Sequence, residues 1–163
     1  DTISGQDGND QIYGGRSADD PADGPDTIYA DVGNDNVWAG GGVGDRCDGG
    51  GGNDRYQYES VSDSAPGATN RDVILAFANV GATAGDQIDL ATIDANTGVG
   101  GNQAFVFKGT AAISGAGQVN VVASGGDTLI RANTGGTLAP ELEIVVQDGT
   151  ATPGQWVAGD FIL

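Results

Sequence analysis

An Asp, any residue, then an apolar or aromatic residue recurs six times near the start of the chain: Asp1-Thr2-Ile3, Asp10-Gln11-Ile12, Asp26-Thr27-Ile28, Asp35-Asn36-Val37, Asp45-Arg46-Cys47 and Asp54-Arg55-Tyr56. The apolar members lie 9, 16, 9, 10 and 9 residues apart, so a nine-residue unit repeats with one seven-residue and one single-residue insertion. Glycine-rich turns separate the tripeptides, and the fullest unit is Gly49-Gly50-Gly51-Gly52-Asn53-Asp54-Arg55-Tyr56-Gln57. The tripeptide after each Asp is too short for anything but a strand. Its apolar residue is the only one that can fill a thin core between stacked units.

Glycine permits positive φ and close approach of turn backbone, so carbonyl oxygens can face inward to an ion. Each Asp adds a hard, charged oxygen. Calcium takes about six to eight oxygens in flexible geometry, which suits stacked turns that each bring carbonyls and one carboxylate. The alternative is that Gly and Asp merely mark solvated turns. The unit, Gly-Gly-x-Gly-x-Asp-x-apolar-x, resembles the nonapeptide of the repeats-in-toxin (RTX) family, whose fold is a calcium-binding parallel β-roll. That resemblance implies two nonapeptides per coil, with Asp10, Asp35 and Asp54 along one edge and Asp1, Asp26 and Asp45 along the other. It also implies carbonyl ligands from the second and fourth positions of one turn and the first and third of the next turn on that edge. Mapped here, these are Gln6 and Gly8 with Ala30 and Val32, then Asp31 and Gly33 with Gly49 and Gly51. The second edge is less regular: Gly14 to Asp20 reads as the insertion, and an extra residue near Ala39 to Gly44 blurs the register. Occupancy at Asp26 and Asp45 is therefore left open.

The formal net charge is −17, from 6 basic and 23 acidic residues. Such a charge opposes compaction unless counter-ions bind. About four to six calcium ions are expected, each offsetting two negative charges. Without them a Gly- and Asp-rich segment buries too little apolar surface to offset its ordering entropy, so binding energy here is folding energy.

The chain changes character near Tyr58. A Ser-, Ala-, Pro- and Gly-rich loop from Ser60 to Asn70 precedes strand patterns at Val73–Phe77, Gln87–Leu90, Ala104–Lys108, Gln118–Val122, Thr128–Ala132 and Glu141–Gln147, with a hairpin signal at Gly125-Gly126. The expected fold is all-β: a parallel β-roll over residues 1–58, then an antiparallel β-sandwich over 59–163 that closes the roll end. Asp72-Val73-Ile74 with Phe77, Asp86-Gln87-Ile88-Asp89-Leu90, Gly117-Gln118-Val119 and the terminal Asp160-Phe161-Ile162-Leu163 resemble the C-terminal domain of serralysin-type metalloproteases and the R-modules of alginate epimerases. Related proteins carry an Asp-rich stretch between the last two long strands. This chain has Asn133-Thr134-Gly135-Gly136-Thr137, then Leu138-Ala139-Pro140, which predicts an ordinary loop.

Asp86 and Asp89 either close the last calcium site or are strand-end acids facing water. Asp19, Asp20 and Asp23 either hold an extra ion or form a solvated acidic loop. Cys47 sits at an inward repeat position and reads as a small core residue; one cysteine makes no internal disulfide, leaving calcium as the staple. Tyr13, Tyr29 and Trp38 follow the inward residue and point outward. Tyr13 and Trp38 should be neighbours, either covering strand backbone or stacking on a sugar or a partner surface. Arg46 and Arg55 also point outward, but the acidic balance disfavours a polyanion groove and nucleic acid.

There is no His, which removes His-Glu-x-x-His zinc chemistry and imidazole-dependent nucleophiles. Paired carboxylates can hydrolyse glycosides, but here the acids serve a simpler role as calcium ligands, so no catalysis is assigned to this chain. No apolar segment reads as a signal peptide or membrane span. The terminal Asp160-Phe161-Ile162-Leu163 resembles the uncleaved signal of type I secretion substrates, and the start in mid-repeat reads as a fragment. The resemblance thus implies a noncatalytic module of a larger extracellular bacterial protein, exported through an ABC-type channel and folded by calcium outside. Two other classes remain: a carbohydrate- or cell-surface-binding module working through Tyr13 and Trp38, and a structural unit of a surface layer or adhesin.

Overall fold

A computed structural model describes residues 1–15, 23–42, 44–147, 149 and 151–163. Each Asp-x-apolar tripeptide opens or abuts a three-residue strand: β1 Thr2–Ser4, β2 Gln11–Tyr13, β3 Thr27–Tyr29, β4 Asn36–Trp38, β5 Arg46–Asp48 and β6 Arg55–Gln57. Alternation sends the middle residue inward: Ile12, Ile28, Val37, Cys47 and Tyr56 are buried, while Ile3 on the first strand is partly covered. Odd strands stack in parallel on one side, Ile3 beside Ile28 beside Cys47, and even strands on the other, Ile12 beside Val37 beside Tyr56. This is the expected roll.

Parallel stacking continues past Tyr58. Strand β7, Asp72–Ala76, joins β5, and β8, Gln87–Asp89, joins β6. Next come β9 Val106–Phe107, β10 Gln118–Ser124, β11 Asp127–Asn133 and β12 Leu142–Val146. The last three pair antiparallel in a meander, with Ser124 opposite Asp127 across Gly125-Gly126. Both glycines have positive φ, 65° and 104°, the backbone a two-residue hairpin requires. Two 3₁₀ turns, Pro153–Gln155 and Ala158–Asp160, lead to β13, Phe161–Ile162.

The antiparallel part joins the roll edge to edge. Strand β12 pairs parallel with β7, and β13 pairs parallel with β8. The result is one eight-stranded sheet, β1-β3-β5-β7-β12-β11-β10-β9, facing a five-stranded one, β13-β8-β6-β4-β2. Both open ladders of the last coil are thereby closed, which satisfies backbone groups that would otherwise present an edge. One apolar cluster runs from Ile12 through Tyr56, Phe77, Ile130 and Ile144 to Trp156 and Phe161. Cys47 is a buried free thiol in it, and burial raises its pKa well above the usual value, which leaves it unreactive. Among the described residues no helix is long and apolar enough to cross a membrane.

Candidate metal centre

Stacking aligns the repeat Asp residues into two ladders. On the first edge the Asp10 N–H donates to Asp35 Oδ1 (2.8 Å), Asp35 N–H to Asp54 Oδ1 (2.9 Å) and Asp54 N–H to Asp86 Oδ1 (2.8 Å). On the second, the amino terminus of Asp1 pairs with Asp26, Asp26 N–H donates to Asp45 Oδ1 (2.8 Å) and Asp45 N–H to Asp72 Oδ1 (3.0 Å). One oxygen of each bonded carboxylate is thus fixed by the coil beneath it. The other oxygen of Asp26, Asp35, Asp45, Asp54 and Asp72, and Oδ2 of Asp10 at the start of the first ladder, is buried without a hydrogen-bond partner.

Such oxygens are costly when ionised and unpaired. Burial pushes Asp45 up to about 7, with the Asp26 and Asp23 charges adding to it and the bond from Asp26 N–H opposing. Burial likewise lifts Asp54 to about 7, helped by the charges of Asp86 and Asp35. Asp72 is raised well above the ordinary carboxylate value by burial and by Asp45, and Asp86 is raised by burial. A divalent cation bound beside these oxygens supplies the missing positive charge. The donor set is hard oxygen throughout, which fits calcium. Among the described residues no three acidic or thiol side chains converge into a metal cluster, so most of the oxygens must come from turn backbone.

The turns place the expected carbonyl residues together. Gln6 O accepts from Val32 N–H (3.2 Å) and Val32 O from Gly8 N–H (2.8 Å); one coil on, Asp31 O accepts from Gly51 N–H (2.7 Å) and Gly51 O from Gly33 N–H (2.9 Å). The carbonyls of Gly8 and Gly33 press against the next turn so closely that a Cβ on Gly33 or Gly52 would collide with them. Gly5 stands the same way against Ala30 O, and a Cβ on Gly49 would strike Asp54 Oδ2. Gln6 and Asp31 adopt φ of 71° and 72°, matching Gly50 at 81° in the third turn. The second turn position therefore needs the left-handed conformation whichever residue fills it.

Asp86 is buried as the top rung of the first edge, and its Oδ2 accepts from Ala78 N–H (2.8 Å). Asp89 lies elsewhere. It points from the sheet face, where Arg55 takes Oδ2 through Nε (3.0 Å) and Nη2, while Oδ1 accepts from Ala91 N–H. Asp19 and Asp20 are outside the described residues, whereas the Asp23 carboxylate packs on Gly15 with its Oδ2 buried and unpartnered. In the loop that lacks the Asp-rich stretch, Asn133 Nδ2 donates to the carbonyls of Thr137 (2.7 Å) and Ala139 (2.6 Å). An amide donor thus organises those carbonyls.

Two features were not anticipated. Asp72 completes the second ladder, and its signal was present: Asp72-Val73-Ile74 repeats the tripeptide but follows no glycine turn. An asparagine ladder also flanks the first, Asn34 N–H to Asn9 Oδ1 and Asn53 N–H to Asn34 Oδ1, both 2.8 Å. It runs opposite in sense to the Asp ladder, so each coil both donates to and accepts from its neighbour. The three Gly-Asn-Asp triplets of that edge were its sequence signal.

Residues 1–20 and 22–56 match the profile of the RTX calcium-binding nonapeptide repeat, in four copies. No curated protein sequence matches at a significant level. Two solution structures from the Azotobacter vinelandii mannuronan C5-epimerase are similar in fold. The AlgE6R3 subunit is 22% identical with a TM-score of 0.57, covering 96% of this chain and 78% of that one. The AlgE6R2 subunit is also 22% identical with a TM-score of 0.57, covering 99% and 91%. The first third of this β-roll chain is therefore an array of RTX calcium-binding nonapeptide repeats.

Proposed function

We propose that this calcium-binding module is a folding switch and type I secretion unit, itself noncatalytic, within a larger extracellular bacterial protein. The carrying observation is the pair of carboxylate ladders, six of whose Oδ2 atoms are buried and unpartnered. At neutral pH and without a divalent cation this arrangement is self-repelling, so the chain stays open where calcium is scarce and closes where it is abundant. The ligands are the two Asp ladders, Asp86 included, together with carbonyls of Gln6, Gly8, Ala30, Asp31, Val32, Gly33, Gly49 and Gly51. About four to six ions fill the gaps between successive turns. Four of those carbonyls now bridge turns by hydrogen bonds, and these are the bonds that exchange on loading. Residues 1–58 carry most of the ligands; residues 59–163 cap the roll and supply the last rung of each ladder, Asp72 and Asp86.

Export before folding fits the placement of Asp160-Phe161-Ile162. Asp160 is buried, accepting from Gly81 N–H (2.9 Å) and Val157 N–H (2.7 Å), and Phe161–Ile162 is paired into the sheet. An ABC exporter can read these residues only while the chain is unfolded. The test is a calcium titration of the chain by circular dichroism, with magnesium as control. A cooperative gain of β structure with calcium alone is expected. Equal β content in chelator overturns the proposal.

A further inference from the structure

The outer face of the five-stranded sheet stands apart from the rest of this acidic chain. Strand alternation turns six side chains outward from its first three strands: Gln11 and Tyr13, Asn36 and Trp38, Arg55 and Gln57. No acid is among them, although the chain carries 23. The only cation, Arg55, is already held by Asp89 of the next strand. The platform is thus three amides, two aromatic rings and a neutralised ion pair.

The register sets Tyr13 beside Trp38. Their rings stack at 4.4 Å between centroids and 14° between planes. Strand β2 is the edge of its sheet, and Tyr13 is 56% exposed. One face of the Tyr13 ring is covered by Trp38, and among the described residues no other ring stacks on it. Gln11 is exposed on the same side of the same strand, while Gln57 Nε2 donates to Asn36 Oδ1 (3.3 Å) across the middle of the platform. Beyond it, the loop after β8 approaches: Thr92 Oγ1 donates to Tyr58 O and Asn102 Nδ2 to Ala91 O.

We infer that this face binds an uncharged, hydroxyl-rich polysaccharide, with a pyranose ring stacked on the side of Tyr13 away from Trp38 and the amides of Gln11, Asn36 and Gln57 engaging hydroxyls. An aromatic ring offers the apolar face that axial C–H groups of a sugar need. Amides both donate and accept, as hydroxyls do. Strand spacing of about 4.8 Å, roughly the length of one sugar residue, sets Gln11 beside Asn36 in one row and Gln57 beside Trp38 in the other, so a chain crossing the strands meets amides on successive strands. Charge decides the class of glycan. A polyuronate would meet no unpaired cation here and an acidic chain all around, whereas a neutral glycan loses nothing by that field. The inference rests on the calcium-folded state, because the face exists only when the coils are stacked.

The test is affinity electrophoresis of the chain in calcium through gels containing hydroxyethylcellulose, a galactomannan or polymannuronate, with circular dichroism on the same samples. Retardation by a neutral polymer is expected, weakened about tenfold in Tyr13→Ala and in Trp38→Ala, with the β signal unchanged. Tyr13→Phe, which keeps the ring, should retain binding. Asp89→Asn, which unpairs Arg55, should bring in weak retardation by polymannuronate. No retardation by either neutral polymer overturns the inference, as does binding that survives loss of the Tyr13 ring. The two readings fail separately: no calcium-induced β signal sinks the folding switch, and no retardation of the folded chain sinks the binding face.

Discussion

The two edges of the roll differ in sequence and agree in structure. The first keeps its six-residue turns and its Gly-Asn-Asp triplets, 5–10, 30–35 and 49–54, while both insertions fall on the second, between β2 and β3 and between β4 and β5. Yet each edge carries a four-member Asp ladder. An insertion lengthens one coil and shifts both ladders alike, so Asp10 to Asp35 spans 25 residues and Asp35 to Asp54 spans 19, as do the gaps along Asp26 and Asp45 to within the same coils. Ligand alignment is thus set by strand register and is indifferent to turn length. What the second edge lacks, among the described residues, is the asparagine ladder; glycine closely meets carbonyl there too, Gly14 against Ala39 O and Gly44 against Thr69 O.

The largest expected effect separates the edges directly. Asp35→Ala removes a carboxylate shared by two turns of the first edge, and should raise the calcium concentration at the folding midpoint roughly 10- to 100-fold, the worth of one charge-assisted ligand. Asp45→Ala is the matched change on the second edge. An equal shift in the titration means both edges load. An unchanged midpoint, with a chelated chain that is more ordered than the wild type, means the second ladder is a structural device carrying only repulsion.

Acidity sharpens the same comparison, since burial raises two carboxylates on each edge, Asp54 and Asp86 on the first and Asp45 and Asp72 on the second. Asp45 and Asp54 titrate at about 7 in the folded chain against 3.8 ordinarily. The folded state then holds protons that the unfolded state releases, so stability in chelator is greatest below pH about 4 and is lost as pH rises toward 7. Circular dichroism in chelator should show residual β structure at pH 4 that is absent at pH 7.5. In calcium the sign reverses, because protons compete for the same oxygens.

Turn packing comes next in size. Gly52 combines φ of 146° with a Cβ position blocked by the Gly33 carbonyl, so Gly52→Ala should cost about 1–3 kcal/mol in calcium. Gly51→Ala, where a Cβ meets nothing within 4 Å, is the control and should leave the melting temperature nearly unchanged. Smallest is Asn34→Ala. It removes one exposed rung of the asparagine ladder, worth about 0.5–1.5 kcal/mol at most, and a larger loss would show that the first edge depends on that ladder for its register.

Much of the site was legible because its signals are local. Spacing placed β1 to β6, their inward residues and the membership of each edge among Asp1 to Asp54. Alternation also predicted the Tyr13–Trp38 pair. The six strands predicted after Tyr58 all fall within two residues of their expected ends, whereas β13 at Phe161–Ile162 was not among the predicted strands. Asp72 and Asp86 complete the ladders from positions 27 and 32 residues beyond their partners, through loops with no repeat to count along. Asp89 resembled Asp86 by sequence, three residues away at the same strand. It lies on the outer side of the sheet, away from the ladder, yet is buried beneath Arg55 and the Ala91 N–H, and this cover is not encoded in the spacing of acids.

The sequence by itself determined the coil: a nine-residue period dictates a turn, a strand and a carboxylate at each step, since no other regular structure repeats at that length. Only the tertiary structure decided how the coil ends. The parallel pairing of β12 with β7 and of β13 with β8 joins residues 72 and 73 apart, counted from Asp72 to Ile144 and from Ile88 to Phe161. Contacts of that separation are selected by which open edge remains unsatisfied and which strand buries its apolar side there. The same long-range choice gathers Phe77, Trp156 and Phe161 over Tyr56 at the last turn. Local pattern makes the repeat, and the global demand to satisfy two exposed edges makes the cap.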